Sequence, residues 1–428
     1  SVLAAVILLL AVAAMATPFF LQAALSPRKW LLGVLVASSL FTALAPLLLY
    51  RQTEQLIDVA HLTAMSGGRL ATTTEFLFSV WAIAIVTVGP ALFFGGMVLP
   101  IVFAWTGSQE GAAQGRQFGF LLAANGVGGL IGAEVASLVV LPTLGIYLGF
   151  TAVGLLYSLA FVLLLEPWKS TTVLKVLVAC SVVVAPVLFA QAELIHIPYL
   201  SPRTTVQYKT LATEFGREGV LLVVESPSKG MGILVNNQYL LGSSGSVRDE
   251  RREVFLPMLL HPAPERVCCV GLATGISAGA ALDYSANSQL TAVEISSLVA
   301  DAAERHFGEF NNHLFENPRS SVVIEDGRTY IAATKDHFDV IIGDLYRPYG
   351  AREGRLFSVE HFQAAREALR DVGLFCQWLP MYQLTESQFH IIVASFLQSF
   401  PDAAILRGND KSDYPMLGLV GWKNSQFN

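Results

Sequence analysis

The chain has 428 residues, of which 53% are hydrophobic and only 14% are charged, and its mean hydropathy is +0.54. Soluble globular chains carry about 25% charged residues, and nucleic-acid binders show a surplus of basic residues, whereas this chain has a formal net charge of −6. The composition therefore excludes a disordered tail protein and a nucleic-acid binder.

The charges are distributed unevenly along the chain. Residues 1–192 contain 7 Lys and Arg and 6 Asp and Glu, whereas residues 193–428 contain 20 and 27. The second part is therefore acidic and has the charge density of a water-soluble protein. We predict a membrane domain over residues 1–192 and a soluble part after it.

Long apolar runs predict a multi-pass α-helical membrane domain. A helix that crosses a bilayer needs about 20 mostly apolar residues, and six runs meet this condition: residues 2–25, 30–50, 76–105, 118–141, 146–165 and 172–192. The third run is too long for one straight span, and Pro90 and the Gly95-Gly96 pair interrupt it, so it is one kinked helix or two segments. The first run is not a cleaved signal peptide, because no basic region precedes it and further spans follow.

Two features of this part differ from plain apolar helices. Residues 51–75 alternate apolar and charged side chains, which fits a helix in the membrane interface and equally an ordinary loop helix. Glu134 lies in the middle of the fourth run, where a carboxylate is costly and usually faces a cavity or a partner. It is either a proton or amine site or a hydrogen-bonded packing residue.

Gly128, Gly132 and Ala136 recur every four residues, which predicts close helix packing.

The soluble part changes its pattern near residue 266. Residues 193–265 contain a connector and two β-forming runs, 220–224 and 232–235, which predict a small antiparallel sheet. From Arg266 onward strands and helices alternate, which predicts a doubly wound, Rossmann-like α/β domain of the class I methyltransferase type over residues 266–428. Its strands are predicted at residues 267–270, 290–293, 322–324, 338–342, 374–378 and 416–421.

Acidic residues follow successive strands of this domain. Gly271 and Gly275 enclose the turn after the first strand, and Glu294 ends the second. Asp326-Gly327 and Asp344 follow the third and fourth strands. Open α/β sheets bind ligands at the carboxyl ends of their strands, and a Glu at the end of the second strand is placed to take both hydroxyls of a ribose. The ordered set indicates a nucleoside site; an α/β domain without a nucleoside is the alternative.

Further motifs resemble those of the spermidine synthase (polyamine aminopropyltransferase) family. The similarity runs from about residue 206 to 422. It is carried by the strand-end residues together with Leu256-Pro257, His261-Pro262, Pro264, Gly343-Asp344, Pro348, Gly350, Leu356-Phe357 and Tyr414-Pro415. The apolar part resembles the hydrophobic region fused to some bacterial members, through Gly95-Gly96, Pro100, Asn125, Leu141-Pro142 and Gly145.

The resemblance implies roles for individual residues. Gln207 would contact the sulfonium ligand, Glu294 the ribose, and Asp326 and Gly327 the adenine. Asp344 would be the catalytic carboxylate that accepts a proton from an attacking amine.

The remaining site residues are implied in the same way. Tyr414 would be a second catalytic residue that lines the amine pocket, and the turn residues Gly271, Thr274 and Gly275 would bind the donor. The substrate residues would be Glu250, Tyr346 and Arg347. An amine would attack the aminopropyl carbon of decarboxylated S-adenosylmethionine and release methylthioadenosine, with no metal needed.

Three departures from the family pattern lie in the substrate pocket. The Asp that would hold the donor's amine is Thr274, a second carboxylate in the loop after Asp344 is Arg347, and a Tyr-His pair is Asp249-Glu250. An Arg repels an ammonium group and pairs with a carboxylate. We therefore expect S-adenosylmethionine itself, or an anionic acceptor, rather than the decarboxylated donor with putrescine. A surface ion pair of Arg347 with Glu353 or Asp371 is the alternative for that residue.

The sequence thus predicts a membrane-bound transferase of polyamine-biosynthesis type that uses S-adenosylmethionine or its decarboxylated form. Alternatives are a lyase or cyclising reaction of S-adenosylmethionine, a methyltransferase, and a non-catalytic module that senses a ligand or regulates transport. The expected partners are a sulfonium donor, an amine or carboxylate-bearing acceptor, the lipid bilayer and a second copy of the chain. The four cysteines have no metal-ligand spacing, so buried reduced thiols are expected.

The expected location is the bacterial inner membrane, but its side is open. A nucleoside-derived donor favours the cytoplasm. An excess of Lys and Arg marks cytoplasmic loops, and with six spans it would place the soluble part outside. The residues concerned are Arg28, Lys29, Arg116, Lys169 and Lys175.

Overall fold

The computed structural model describes residues 2–22, 25–55, 81–106, 112–164, 209–216, 219–236, 239–346, 353–412 and 414–424. The chain divides into two compact units, Ser1–Thr205 with Phe215–Arg217, and Val206–Glu214 with Glu218–Asn428. The predicted domain boundaries at residues 192 and 265 stay predictions.

The described residues of the first unit up to Leu164 are mainly helical. Its helices are α1 (Val2–Leu21), α2 (Pro27–Gln55), α3 (Gly89–Thr106), α4 (Ala112–Val135) and α5 (Leu141–Leu164), and a π-helical turn (Ala136–Val140) joins the last two. Four stretches among the described residues are long and apolar enough to cross a membrane: Leu3–Leu21, Pro27–Leu48, Gly89–Thr106 and Gly115–Leu164. The predicted span 172–192 and most of the predicted interfacial helix 51–75 lie outside the described residues.

The last of these stretches has 50 residues and covers two predicted spans. A continuous helix of that length would extend about 75 Å, more than twice the roughly 30 Å hydrocarbon core of a bilayer. Gly145 interrupts it, because its φ of 70° and ψ of −178° are not helical. The stretch is therefore two segments, as the apolar runs predict. In the predicted third span, Val88 N donates to the Ala84 carbonyl and Leu92 N to the Val88 carbonyl, so the helical bonding continues up to α3.

Small residues bring these helices close together at two places. A Cβ atom at Gly96 of α3 would lie 2.9 Å from Ala13 Cβ of α1, and Ser39 Oγ of α2 donates to the Gly154 carbonyl of α5 at 2.8 Å. Among the described residues, no atom of another element lies within 4 Å of a Cβ built at Gly128 or Gly132, so the predicted close packing there stays a prediction. Glu134, near the end of α4, is exposed.

The second unit contains a four-stranded and a seven-stranded sheet among its described residues. Its strands are β1 (Lys209–Gly216), β2 (Gly219–Ser226), β3 (Gly230–Val235), β4 (Tyr239–Ser243), β5 (Arg266–Val270), β6 (Gln289–Glu294), β7 (Ser320–Ile324), β8 (Phe338–Gly343), β9 (Leu369–Pro380), β10 (Ala403–Arg407) and β11 (Met416–Trp422). Its helices are α6 (Val247–Leu259), α7 (Ile276–Tyr284), α8 (Ser297–Phe307), α9 (Gly327–Ala333), α10 (Val359–Glu367) and α11 (Glu386–Ser399).

The small sheet has the order β1-β2-β3-β4, and β3 pairs antiparallel with both β2 and β4. Its apolar face packs on α8, where Leu221, Val223 and Ile233 form one core with Val299 and Phe307. The predicted small antiparallel sheet is therefore present, with β1 and β4 in addition to the two predicted strands.

The large sheet has the order β10-β11-β9-β8-β5-β6-β7. The five strands from β9 to β7 in this order are parallel, whereas β11 is antiparallel to β9 and β10 to β11. All six predicted strands are present; β10 was not predicted. The chain runs from β5 outward through β6 to β7 and then returns to the other side of β5 for β8, which makes the β5–β8 boundary the topological switch point.

Each face of the large sheet has its own core because successive residues of a strand point to opposite faces. In β5, Val267 and Cys269 pack on the side of α6 and α7, whereas Cys268 and Val270 pack on the side of α10 and α11. This layering confirms the doubly wound α/β prediction. The three cysteines in the described residues, Cys268, Cys269 and Cys376, are buried free thiols.

Candidate active site

The candidate site lies at the carboxyl ends of β5 and β8, the switch point of the sheet. Gly271 N donates to the Val293 carbonyl at 2.9 Å, and Asp344 N donates to the Val270 carbonyl at 3.1 Å. These bonds hold the first residue after β5 and the first after β8 side by side. In open α/β sheets ligands bind in the crevice at this point.

The turn after β5 needs residues that accept positive φ. Gly271, Ala273 and Gly275 have φ values of 94°, 52° and 78°. A Cβ atom at Gly271 would lie 2.9 Å from Asp344 Cβ, so only glycine allows this approach. Gly275 ends the turn and precedes the first turn of α7. The predicted donor-binding residues Gly271, Thr274 and Gly275 thus form one turn against Asp344.

Glu294, the last residue of β6, is bound by that turn. Its Oε2 accepts hydrogen bonds from Leu272 N at 3.1 Å and Ala273 N at 3.4 Å, and its Oε1 accepts one from Ser296 N at 2.9 Å. Burial raises the pKa of this carboxyl, while the three backbone bonds oppose the shift. The structure brings Glu294 to the site; its predicted bond to a ribose stays a prediction.

Asp344 is half-buried beside the turn. Its Oδ1 accepts a hydrogen bond from Leu345 N at 2.7 Å, and burial raises the pKa of its carboxyl. A carboxyl whose pKa is raised is a better proton acceptor once it is ionised. The raised pKa suits a proton acceptor, and the predicted catalytic role of Asp344 stays a prediction.

Helix α6 adds two carboxyl groups to the site. Glu250 Oε1 accepts from Ser243 N at 2.8 Å, and its Oε2 accepts from Thr274 Oγ1 at 3.1 Å. Burial, opposed by these two bonds, raises the pKa of Glu250 to about 7. One turn further along α6, buried Glu253 accepts a bond from the Ser277 hydroxyl, and burial and the charge of Asp344 raise its pKa well above the ordinary value.

Glu253 was not predicted as a site residue. Its sequence context is rich in charged residues and is typical of a solvated helix face, yet only 4% of the residue is exposed. The available signal was its spacing of three residues from Glu250, which puts both carboxyls on one face of the helix. Glu250 places a carboxylate against Thr274, the position at which the sequence departs from the Asp of the family pattern.

Asp326 and Gly327 lie at the end of the neighbouring strand β7. Asp326 Oδ1 caps α9 by accepting from Arg328 N at 2.9 Å, and its Oδ2 pairs with Arg328 Nη2 at 2.6 Å. The hydrogen bond from Arg328 lowers the pKa of Asp326. A Cβ atom at Gly327 would lie 2.4 Å from Val270 Cγ1, so this glycine allows α9 to approach β5. Their predicted contact with adenine stays a prediction.

The other predicted residues are placed differently. Tyr346 is buried under the turn, where its hydroxyl donates to the Val270 carbonyl at 2.5 Å. Tyr414 is 57% exposed and stands edge-on to Tyr382, with 5.3 Å between the ring centroids. Gln207 and Arg347 lie outside the described residues.

Carboxyl groups can also hold metal ions. Within the part of the chain that the structure describes, no group of three or more His, Cys, Asp or Glu side chains is arranged to hold one. The sheet order, the glycine turn and the strand-end carboxyls together form a doubly wound α/β domain with several carboxyl groups at its switch point.

Comparisons with known proteins show what this domain is similar to. Residues 253–406 match the family described as "Spermine/spermidine synthase domain", so this part of the chain is similar to that family. The polyamine aminopropyltransferase of Streptococcus uberis is 27% identical over 189 residues, which cover 44% of this chain and 66% of the relative. That of Thermotoga petrophila is 33% identical over 153 residues, covering 36% and 51%. The chain thus spans between about half and two thirds of these relatives.

Solved structures are also similar. Spermidine synthase from Thermotoga maritima is 21% identical, with a TM-score of 0.45, over 50% of this chain and 73% of that chain. A human methyltransferase-like protein 13 in complex with SAH is 21% identical, with a TM-score of 0.34, over 43% and 82%.

Proposed function

We propose that this protein transfers an aminopropyl-type group from a sulfonium nucleoside to an amine and releases methylthioadenosine. The observation that carries the proposal is the half-buried Asp344 carboxyl, held against the Gly271 turn at the switch point. The match of residues 253–406 to the spermine/spermidine synthase domain supports the same chemistry.

The reaction needs one nucleophile, one leaving group and one proton acceptor. The amine nitrogen attacks the methylene carbon next to the sulfonium, so that a C–N bond forms as the C–S bond breaks. The electron pair of the broken bond stays on sulfur, which becomes a neutral thioether, and Asp344 takes the proton that the amine loses. The protein contributes mainly by holding the two reactants in line.

In this proposal, residues at the carboxyl ends of several strands bind the donor. Glu294 binds the ribose hydroxyls, and the backbone of the Gly271–Gly275 turn lies against the sulfonium chain. Asp326 and Gly327 meet the adenine, which requires the Asp326 carboxylate to share its acceptor positions with Arg328. Gln207, Tyr414, Tyr346 and Arg347 stay proposed neighbours of the donor or acceptor.

Product analysis of the detergent-purified full chain tests this function. The chain is incubated with S-adenosylmethionine or with its decarboxylated form, with and without di- and polyamines, and the products are identified by mass spectrometry. Methylthioadenosine together with an aminopropylated amine supports the proposal. Methylthioadenosine without an acceptor product indicates a lyase, and S-adenosylhomocysteine indicates a methyltransferase.

The variant Asp344→Asn removes the proton acceptor but keeps the shape and the Leu345 contact. Because only the transition state needs the proton transfer, turnover should fall by about 100-fold or more. Methylthioadenosine affinity should stay within a few-fold of wild type. Unchanged turnover in this variant would contradict the role of Asp344.

A further inference from the structure

Glu250 is held where three elements of the second unit meet. Its carboxyl lies between Ser243 at the end of β4 and Thr274 in the turn after β5, and both donate to it. Gly242 lies against the same pair, since a Cβ atom there would lie 3.0 Å from Thr274 Oγ1 and 3.2 Å from Glu250 Oε1. The carboxyl is therefore fixed in position before any ligand arrives.

A second contact of the same kind fixes the helix. Glu253 of α6 accepts from Ser277, three residues after Thr274, so α6 is bonded to the β5–α7 segment twice at the same spacing. The Glu253 carbonyl also accepts from the buried Trp378 Nε1 at 2.8 Å. These bonds fix the direction in which Glu250 points.

Glu250 retains capacity to bind a cation. A carboxylate can accept about four hydrogen bonds, and the two from Ser243 and Thr274 leave about half of that capacity free. No Lys, Arg or His side chain forms an ion pair with it in the described part of the second unit. Two acidic residues lie on this face of α6. Glu253 is buried and inaccessible to a ligand, whereas Glu250 is only half-buried.

The position of Glu250 determines which ligand group it meets. Thr274 belongs to the turn that also positions Glu294, so Glu250 borders the side of the crevice that holds the donor. An ammonium on the donor's transferred chain would replace the missing ion-pair partner, whereas a carboxylate on that chain would be repelled by Glu250 and Asp344 together.

We propose that Glu250 is a specificity-determining residue, which binds the terminal ammonium of the donor's transferred chain and rejects a donor that keeps a carboxylate there. This inference rests on the proposed function and names its donor class, a decarboxylated sulfonium nucleoside. It replaces the expectation of S-adenosylmethionine itself. The pKa of Glu250, which burial raises to about 7, is consistent with a carboxyl that lacks a cationic partner.

Calorimetry with three ligands on the detergent-purified full chain tests the proposal. The ligands are decarboxylated S-adenosylmethionine, S-adenosylmethionine and methylthioadenosine, which has no transferable chain. The wild type should bind the decarboxylated form more tightly than S-adenosylmethionine. In Glu250→Gln the affinity for the decarboxylated form should fall by about 10- to 100-fold, the usual effect of losing a hydrogen bond to a charged group. Methylthioadenosine affinity should not change.

Two further variants separate this role from a structural one. Glu304→Gln removes one exposed charge from α8 and should leave all three affinities unchanged. The double variant Glu250→Gln with Thr274→Asp returns a carboxylate to the same place from the turn, and it should restore much of the preference for the decarboxylated donor.

Three outcomes would overturn the proposal. They are tighter wild-type binding of S-adenosylmethionine, an equal loss of methylthioadenosine and donor affinity in Glu250→Gln, and an unchanged donor preference in that variant. These binding results are separate from the product analysis. If the decarboxylated donor binds through Glu250 but yields no methylthioadenosine, the proposed function fails while this assignment stands.

Discussion

At the scale of single residues, burial governs the chemistry of four carboxyl groups. Burial is the largest cause that raises the pKa of Glu250, Glu253, Glu294 and Asp344. Perturbed carboxyls of this kind concentrate at functional sites because catalysis and cation binding need them. Glu253 differs from the half-buried Glu250 and Asp344, since only 4% of it is exposed and its carboxyl is bonded to Ser277. We therefore assign it to the support of α6 rather than to ligand contact.

Glu253 should make the fold less stable as the pH rises. Its pKa is higher in the folded than in the unfolded chain, so the folded chain holds an extra proton above about pH 4.5. The contribution of Glu253 to the free energy of unfolding is therefore fully present below about pH 4.5 and is lost as the pH rises toward the pKa that Glu253 has in the folded chain. In Glu253→Gln this loss is absent, and the variant should be more stable than wild type at pH 8 by on the order of 1–3 kcal/mol.

Thermal unfolding of both proteins between pH 5 and pH 8 measures the effect. The two midpoints should be close at pH 5 and should separate with increasing pH, while methylthioadenosine binding is retained at every pH. Parallel curves, with the same pH dependence in both proteins, would show that Glu253 keeps its ordinary pKa.

At the scale of elements, the apolar runs predicted the strands that lie inside the sheet. Residues 267–270 are wholly apolar, and residues 338–342 are apolar except for Asp339, because neighbours cover both strands on both faces. Strand β10 (Ala403–Arg407) is an edge strand with alternating exposed residues. The local sequence of β10 does not distinguish it from a loop, because only its pairing with β11 makes it a strand.

The same reasoning explains which site residues were predictable. Glu294 and Asp344 follow buried strands directly, so the positions of the strands predicted that they meet. Glu250 and Glu253 lie on a helix, and their direction depends on how α6 packs against β9 and the turn, which local sequence does not determine. Tyr346 is predicted at the substrate; its hydroxyl bonds to the Val270 carbonyl beneath the turn, and its contact with a substrate stays a prediction.

The contact between α6 and β9 should be important for donor binding. Trp378 is fully buried and its Nε1 donates to the Glu253 carbonyl. Trp378→Phe leaves that carbonyl without its partner and opens a small cavity, so the free energy of unfolding should fall by about 2–3 kcal/mol. Because α6 carries Glu250, the affinity for the decarboxylated donor should also fall.

Denaturant unfolding and calorimetry test this pair of effects against a matched variant. Thr385→Ala breaks the capping box of α11 and should cost about 1 kcal/mol without moving α6, so donor affinity should be kept. If Trp378→Phe destabilises the domain and donor binding is unchanged, α6 does not position Glu250 in the way described.

At the scale of the whole molecule, the uneven composition corresponds to two differently built units. The four candidate spans carry many exposed apolar side chains, for example Leu8, Phe19, Phe120 and Leu163. In a water-soluble protein such surfaces are costly, whereas in a bilayer they are solvated by lipid. The second unit instead has two apolar cores enclosed by helices on both faces of its large sheet.

We expect the chain to behave as an integral membrane protein with its second unit in the cytoplasm. The apolar helices should keep it in the membrane pellet after alkaline carbonate extraction. The proposed donor is a nucleoside made inside the cell, so the site must face that side. The opposing loop charges are few, and the excess of Lys and Arg orients a protein only when it is clear.

Reporter fusions at the carboxyl end decide the orientation in a bacterial host. A green fluorescent protein fused there should fluoresce, and an alkaline phosphatase fused there should be inactive, since the first folds in the cytoplasm and the second needs the oxidising periplasm. Active phosphatase with a dark fluorescent fusion would place Asp344 outside, where it would have to act on an exported donor. Release of the chain by carbonate would contradict the assignment of the four apolar stretches as spans.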